Sequence, residues 1–161
     1  MQTLHSEALQ DYLKWRDVVL SVTNGQVDDV QDQPDRVYGV IMDVGLSDDF
    51  VITITAFASG ESSLRTTVGG GGIGLGGDPQ IAGHARHIVT LAQSRGMTAR
   101  PTDRPDLPPD KGVYFYFLSP AGLSLSQSTV EELYAPAHPL REMFARFTAI
   151  KARSEELLKG R

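Results

Sequence analysis

The sequence predicts an α+β fold, one five-stranded antiparallel sheet flanked by N-terminal, central and C-terminal helices in the order α-β-β-β-α-β-β-α. Three observations predict it. Residues alternate with strand period from Val37 to Val44 and again from Phe50 to Phe57. Apolar stripes of helical period occupy residues 3–20, 79–95 and His138 to about Leu158. The links between neighbouring strands are too short for the crossovers that parallel strands require.

In the first helix Leu4, Ala8, Tyr12, Trp15 and Val19 form the stripe, widened by Leu9, Leu13 and Leu20, and Asn24-Gly25 is a stop signal. Residues 26–36 are acidic, contain Pro34, show no period and are expected to be a loop. Val37–Val44 places Tyr38, Val40, Met42 and Val44 on one face and Val37, Gly39, Ile41 and Asp43 on the other. Gly45 to Asp49 is expected to turn the chain into the partner strand, making a hairpin. A shorter, more polar third strand follows at Ser62–Val68.

The second helix has Pro79 at its first position, Asp78 as N-cap, an apolar face of Ile81, Ala85, Ile88, Val89 and Ala92, and Gly96 as its stop. Residues 97–110 hold four prolines among alternating Arg and Asp and read as a connector. Val113–Leu118 is an aromatic strand. Tyr114 and Tyr116 face one way and Phe115 and Phe117 the other, so both faces are expected to be covered. Leu123–Ser126 is the fifth strand, residues 129–134 a short helical piece, and the final helix begins at His138-Pro139. The layout is similar in topology to profilin-like and roadblock-type domains, with terminal helices around a central antiparallel sheet.

At 161 residues the chain suits a single domain, 1–161, and 40% hydrophobic with 22% charged content is ordinary for a globular protein. A net charge of −5 speaks against a general binder of nucleic-acid backbones, which needs clustered cations. The absence of cysteine removes thiolate chemistry, disulfides and cysteine-based metal sites. The first residues lack the pattern of a signal peptide and no apolar run spans a membrane, so a cytoplasmic setting is expected. Charge is uneven: residues 1–36 are acidic and residues 138–161 basic, which allows pairing within the chain or between subunits, although two separately solvated faces are the favoured account.

The glycine run, residues 69–77, is the main candidate site. Gly72-Ile73-Gly74-Leu75-Gly76-Gly77 satisfies G-x-G-x-x-G between a strand and a helix, but a dinucleotide site is not expected. The preceding strand opens no βαβ unit, no acid-ending strand follows the helix, and Asp78 would occupy the amides meant for phosphate. No Gly-Lys-Ser or Gly-Lys-Thr follows, so a P-loop is excluded. Three uses remain. The favoured one is a structural crossing or interaction segment with Ile73 and Leu75 as apolar anchors on bare backbone. The second is a backbone nest for a small molecule or anion, with Gly72, Gly74, Gly76, Gly77, Arg65, Asp78 and His84 around it. The third is a flexible lid.

Other constellations are weaker. His84 and His87 lie one helical turn apart, but no spacing supplies a third metal ligand among His138, Asp78 or His5, and a boundary and an exposed histidine are the simpler account. Asp43, Asp48 and Asp49 around the first hairpin lack the spacing of a calcium loop and suit a turn. Lys111-Gly112-Val113-Tyr114-Phe115 echoes an RNA-binding strand only faintly and reads as core. No cofactor, metal site or catalytic constellation is expected.

Tyr38-Gly39-Val40-Ile41-Met42-Asp43, Ser62-Ser63-Leu64, the GGGxIGxGG segment with its following helix, and His138-Pro139-Leu140 resemble a family of uncharacterised bacterial proteins over about residues 37–150. That resemblance implies a stand-alone bacterial protein and brings no activity with it. The functional expectation is a non-catalytic interaction or assembly module, a homodimer or a partner of another protein, joined through amphipathic helices and an exposed sheet edge. The alternative is a small-molecule or anion-binding protein using residues 69–77, and a third, weaker reading is an enzyme acting on a phosphorylated metabolite. Neither nucleic acid nor membrane is an expected partner.

Overall fold

The computed structural model describes residues 2–21, 36–94, 99–103 and 105–159, with side chains from Glu7 onward in the first segment. The expected stops at Asn24-Gly25 and Gly96, most of the acidic loop before Val37, and the side chain of His5 lie outside the described residues. Over the described residues the chain is α+β, with one antiparallel sheet and four helices: α1 (Gln2–Leu20), α2 (Pro79–Ser94), α3 (Val130–Leu133) and α4 (Arg141–Lys159). The strands are β1 (Gly39–Ser47), β2 (Phe50–Phe57), β3 (Ser62–Thr66), β4 (Gly71–Gly72), β5 (Arg100–Pro101), β6 (Gly112–Ser119) and β7 (Gly122–Thr129). Their order across the sheet is β4-β3-β2-β1-β6-β7-β5.

The sheet therefore has seven strands and not the five expected. The two extra ones are two-residue pieces at the edges, β4 pairing with β3 and β5 with β7. Neither carries an alternating side-chain signal. One is bare glycine, and the other lies in the proline-rich connector, where an edge tolerates a residue that cannot donate to the ladder.

Apolar alternation puts two cores on opposite faces of the sheet. Val40, Met42, Ile52, Ile54, Ala56, Phe115 and Phe117 meet Ile81, Ala85 and Ile88 of α2 and Met143, Phe147 and Ile150 of α4. The other face carries Ile41, Phe57, Tyr116, Leu118 and Leu125 against Val19, with Trp15 and Leu20 alongside. The aromatic strand β6 is covered on both faces as expected. One detail differs in β1: Tyr38 packs with Ile41 rather than with Val40. The ladder begins only at Gly39, so the period of two does not extend back to Tyr38.

Because α1 and α4 lie on opposite faces, the acidic and basic ends of the sequence do not meet within one chain through these helices. α4 begins at Arg141, after a turn in which His138 Nδ1 accepts from the Leu140 N–H at 3.0 Å. Among the described residues no helix is long and apolar enough to cross a membrane.

Candidate interaction groove

The glycine run proves to be partly ordered. Gly71 and Gly72 pair with Arg65 and Leu64, a short 3-10 turn spans Leu75–Gly77, and Leu75 folds onto the core beneath. At Gly71, with φ +117°, a Cβ would fall 1.9 Å from the Leu64 carbonyl oxygen, so bare backbone is required. Of the two expected anchors, then, Leu75 points in, while Ile73 is 68% exposed.

The candidate ligand residues are not gathered by the fold. Arg65 is on the α1 face, with its guanidinium 5.8 Å from the Trp15 ring centroid. Asp78 caps α2, accepting from the Ile81 N–H at 3.1 Å, and binds both Nη2 and Nε of Arg153 at 2.9 and 3.1 Å. Those hydrogen bonds hold its carboxyl below the usual range. His84 accepts at Nδ1 from Arg146 at 3.3 Å, between α2 and α4. Gly74 sits in the left-handed region as the N-cap of the 3-10 turn. Gly76 directs its N–H toward Glu61 Oε1 at 3.4 Å, and the Gly77 N–H goes to the Gly74 carbonyl. Only the glycines and Asp78 are neighbours. Two carboxylates flank the run: Glu61 takes the Gly76 amide, and Asp78 takes the Ile81 amide just beyond it.

A buried polar network escaped the sequence reading. Asp43 is fully buried and accepts from Arg16 Nη2 at 2.6 Å and from the Thr53 hydroxyl at 2.5 Å. Since Thr53 spends its one proton there, the Tyr12 hydroxyl donates to Thr53, at 2.5 Å. Arg16 also reaches the carbonyls of Pro105 and Asp106 and lies over the Tyr116 ring, whose hydroxyl donates to Asp106. Burial pushes the Asp43 carboxyl up, against the pull of Arg16, and burial with the Asp43 charge raises the Tyr12 phenol. Tyr116 is pushed up to about 12, chiefly by burial. The network fastens α1 and the proline-rich connector to the sheet. A signal existed: Arg16 lies one turn beyond Tyr12 on the buried stripe, and Asp43 is a lone charge in a strand. Asp43 is thus an internal partner, while Asp48 and Asp49 form the hairpin turn.

The groove lies where β1, β6 and β7 end together. β1 shifts register between Gly45 and Ser47, and this bulge turns Leu46 out, 50% exposed. The strand runs on to Ser47, so the turn is two residues, not the five expected. A Cβ on Gly45 would fall 2.0 Å from the Pro109 carbonyl oxygen, so glycine alone lets the connector press against β1. Lys111, at φ +66°, donates its N–H to the Gly45 carbonyl at 2.7 Å and accepts from the Val130 N–H at 3.0 Å. Thr129 caps α3 through the Glu132 N–H.

Between these pieces opens a cavity of about 680 Å³ lined by Gly45, Leu46, Asp110, Lys111, Thr129, Val130, Glu131 and Tyr134. Tyr134 is 66% exposed and stands edge-on to Phe144 of α4, with ring centroids 6.1 Å apart. The side chains of Asp110, Lys111 and Glu131 take part in no ion pair among the described residues. Among the described residues the other histidine side chains are engaged, His87 with Glu142 at 2.8 Å and His138 Nε2 with the Ser128 hydroxyl at 3.3 Å. No group of acids and histidines able to hold a metal ion occurs among the described residues.

Against known proteins, the chain matches no family model, no curated protein and no solved structure.

Proposed function

We infer that the protein is a non-catalytic interaction module that grips a protein partner in the groove beside Leu46 and Tyr134. The single observation behind this reading is the concavity itself, about 680 Å³, where two large apolar side chains stand at least half exposed among uncommitted charges. Concave apolar surface with a few polar groups at its rim suits an inserted side chain. Three candidates for a chemical role among the described residues are engaged with partners: Asp43 with Arg16, Asp78 with Arg153, His84 with Arg146. Anion binding at the glycine run has Glu61 and Asp78 against it, since their charges repel the ligand such a nest would take. A bacterial cytoplasm is the setting we assign, from the resemblance carried by the GGGxIGxGG segment.

The test is a selection of peptides from a random display library on the whole chain. Selected peptides are expected to bind the wild type in the micromolar range and the Leu46→Asp/Tyr134→Ala protein about tenfold more weakly, with the melting temperature unchanged. Peptides that bind both proteins alike count against the groove.

A further inference from the structure

The groove has a charge of its own. Among its lining residues Asp110 and Glu131 are acidic and Lys111 alone is basic, and Asp48, Asp49 and Glu132 are near them in sequence. An occupant that brings an apolar anchor together with cations would satisfy both its floor and its rim.

The last turns of α4 have this chemistry. Leu157 packs toward the core, whereas Leu158 points out, 41% exposed. The two acids before it are committed within the helix, Glu155 to Lys151 at 2.5 Å and Glu156 to Arg153 at 3.0 Å. Lys159 follows in the last turn with no ion pair among the described residues, and the sequence continues through Gly160 to Arg161. Leu158 and Lys159 form an apolar knob with a basic flank.

Knob and groove cannot meet in one molecule. Tyr134 leans on Phe144 in the first turns of α4, and nineteen residues at 1.5 Å each set the two ends of the helix about 28 Å apart. A second copy with its α4 antiparallel across a two-fold axis brings each knob toward the other copy's groove. The outward face of α4 allows this approach, because Ala145, Thr148 and Ala152 are small and exposed. In that pairing Arg141 of one copy comes near Glu156 of the other. A stable pair needs of the order of 1,000 Å² of buried surface, more than one groove offers, so the reciprocal arrangement adds a second groove and a helix seam.

We propose that two copies of this chain pair reciprocally, the Leu158–Lys159 end of α4 in each filling the Leu46–Tyr134 groove of the other. The proposal rests on the reading of the groove as an interaction site and names its occupant.

The experiment is sedimentation of the whole chain over about a hundredfold range of concentration around the micromolar scale, for the wild type, Leu158→Asp, Lys159→Glu and Tyr134→Ala. All three positions are exposed, and melting curves confirm that each variant folds. The wild-type mass is expected to rise from 17.5 kDa toward twice that value, less so at high salt. Leu158→Asp and Tyr134→Ala should each weaken pairing about tenfold or more. Mixing those two variants should recover heterodimers, because one intact knob then meets one intact groove.

A wild type that stays monomeric overturns the proposal, and the display selection then still decides whether the groove binds protein. A dimer lost in Tyr134→Ala but kept in both Leu158→Asp and Lys159→Glu overturns the occupant and leaves the groove reading standing. A dimer indifferent to all three variants overturns the proposal and leaves the groove reading to the display selection. A mass climbing past two subunits overturns the reciprocal arrangement.

Discussion

Arg16 donates to Asp43 over 2.6 Å, joining a helix to the middle strand of the sheet with both side chains out of water. Removing one member strands the other as an uncompensated charge. Asp43→Asn or Arg16→Met is therefore expected to cost about 3–5 kcal/mol in urea unfolding. The double change Arg16→Met/Asp43→Leu should recover most of that loss, because apolar groups of similar size replace the pair. Equal additive losses in the double variant would show that the two residues act independently.

His84 sets a pH dependence. Burial, with Arg146 and His87 nearby, holds its imidazole below the usual 6.5, and Arg146 donates to a ring nitrogen that must be unprotonated. The unfolded chain takes up a proton near 6.5 while the folded one does not, so the unfolded state binds more protons just below that value. Stability from this group is complete above 6.5 and is lost as pH falls through the lowered native value. His84→Gln should flatten the stability-against-pH curve in that window.

Asp78 and Arg153 clamp the start of α2 to α4, and the carboxyl also caps the helix. Its lowered pKa gives stability above the unfolded value of 3.8 that is lost as pH falls through the native one. Arg153→Ala is expected to lower the melting temperature at neutral pH and shrink that acid-range loss. Exchanging the two residues, Asp78→Arg with Arg153→Asp, should not restore the wild type, since arginine cannot accept the Ile81 N–H. Full restoration would mean the cap contributes nothing.

Glycines in this chain divide by what an added methyl would strike. Gly45→Ala and Gly71→Ala drive a Cβ to 2.0 and 1.9 Å from backbone carbonyl oxygens and should destabilise by about 1–3 kcal/mol. Gly83, exposed in α2 with nothing within 4 Å of the added atom, should stabilise by about 0.5–1 kcal/mol when changed to alanine. Chemical denaturation of the three variants checks both signs.

The sequence and the structure agree where side chains repeat. Ile52, Ile54 and Ala56 against Thr53, Thr55 and Phe57, or Phe115 against Tyr116, announce their faces because a strand has period two. The short strands β4 and β5 were illegible, since Gly71-Gly72 has no side chain to alternate and Pro101 reads as a strand breaker. Tyr12, Arg16, Asp43 and Thr53 come from three separate elements, and their convergence depends on which face α1 covers. The groove was hidden for a similar reason. Leu46 looks like a turn residue until the bulge turns it outward, and Tyr134 becomes its neighbour only once β7 has paired with β6.

Two-residue edges have a consequence for how copies of this chain meet. Sheets ordinarily polymerise by laying one open margin along another, rung after rung. Here the outermost strand at each margin offers at most two rungs. Gly71, at φ +117°, leaves the extended geometry, and Pro101 has no N–H to give. Along these two strands, chains crowded together, as when freshly made, find no ribbon to zip, and contacts made there fall to side chains that can be satisfied once and then stop.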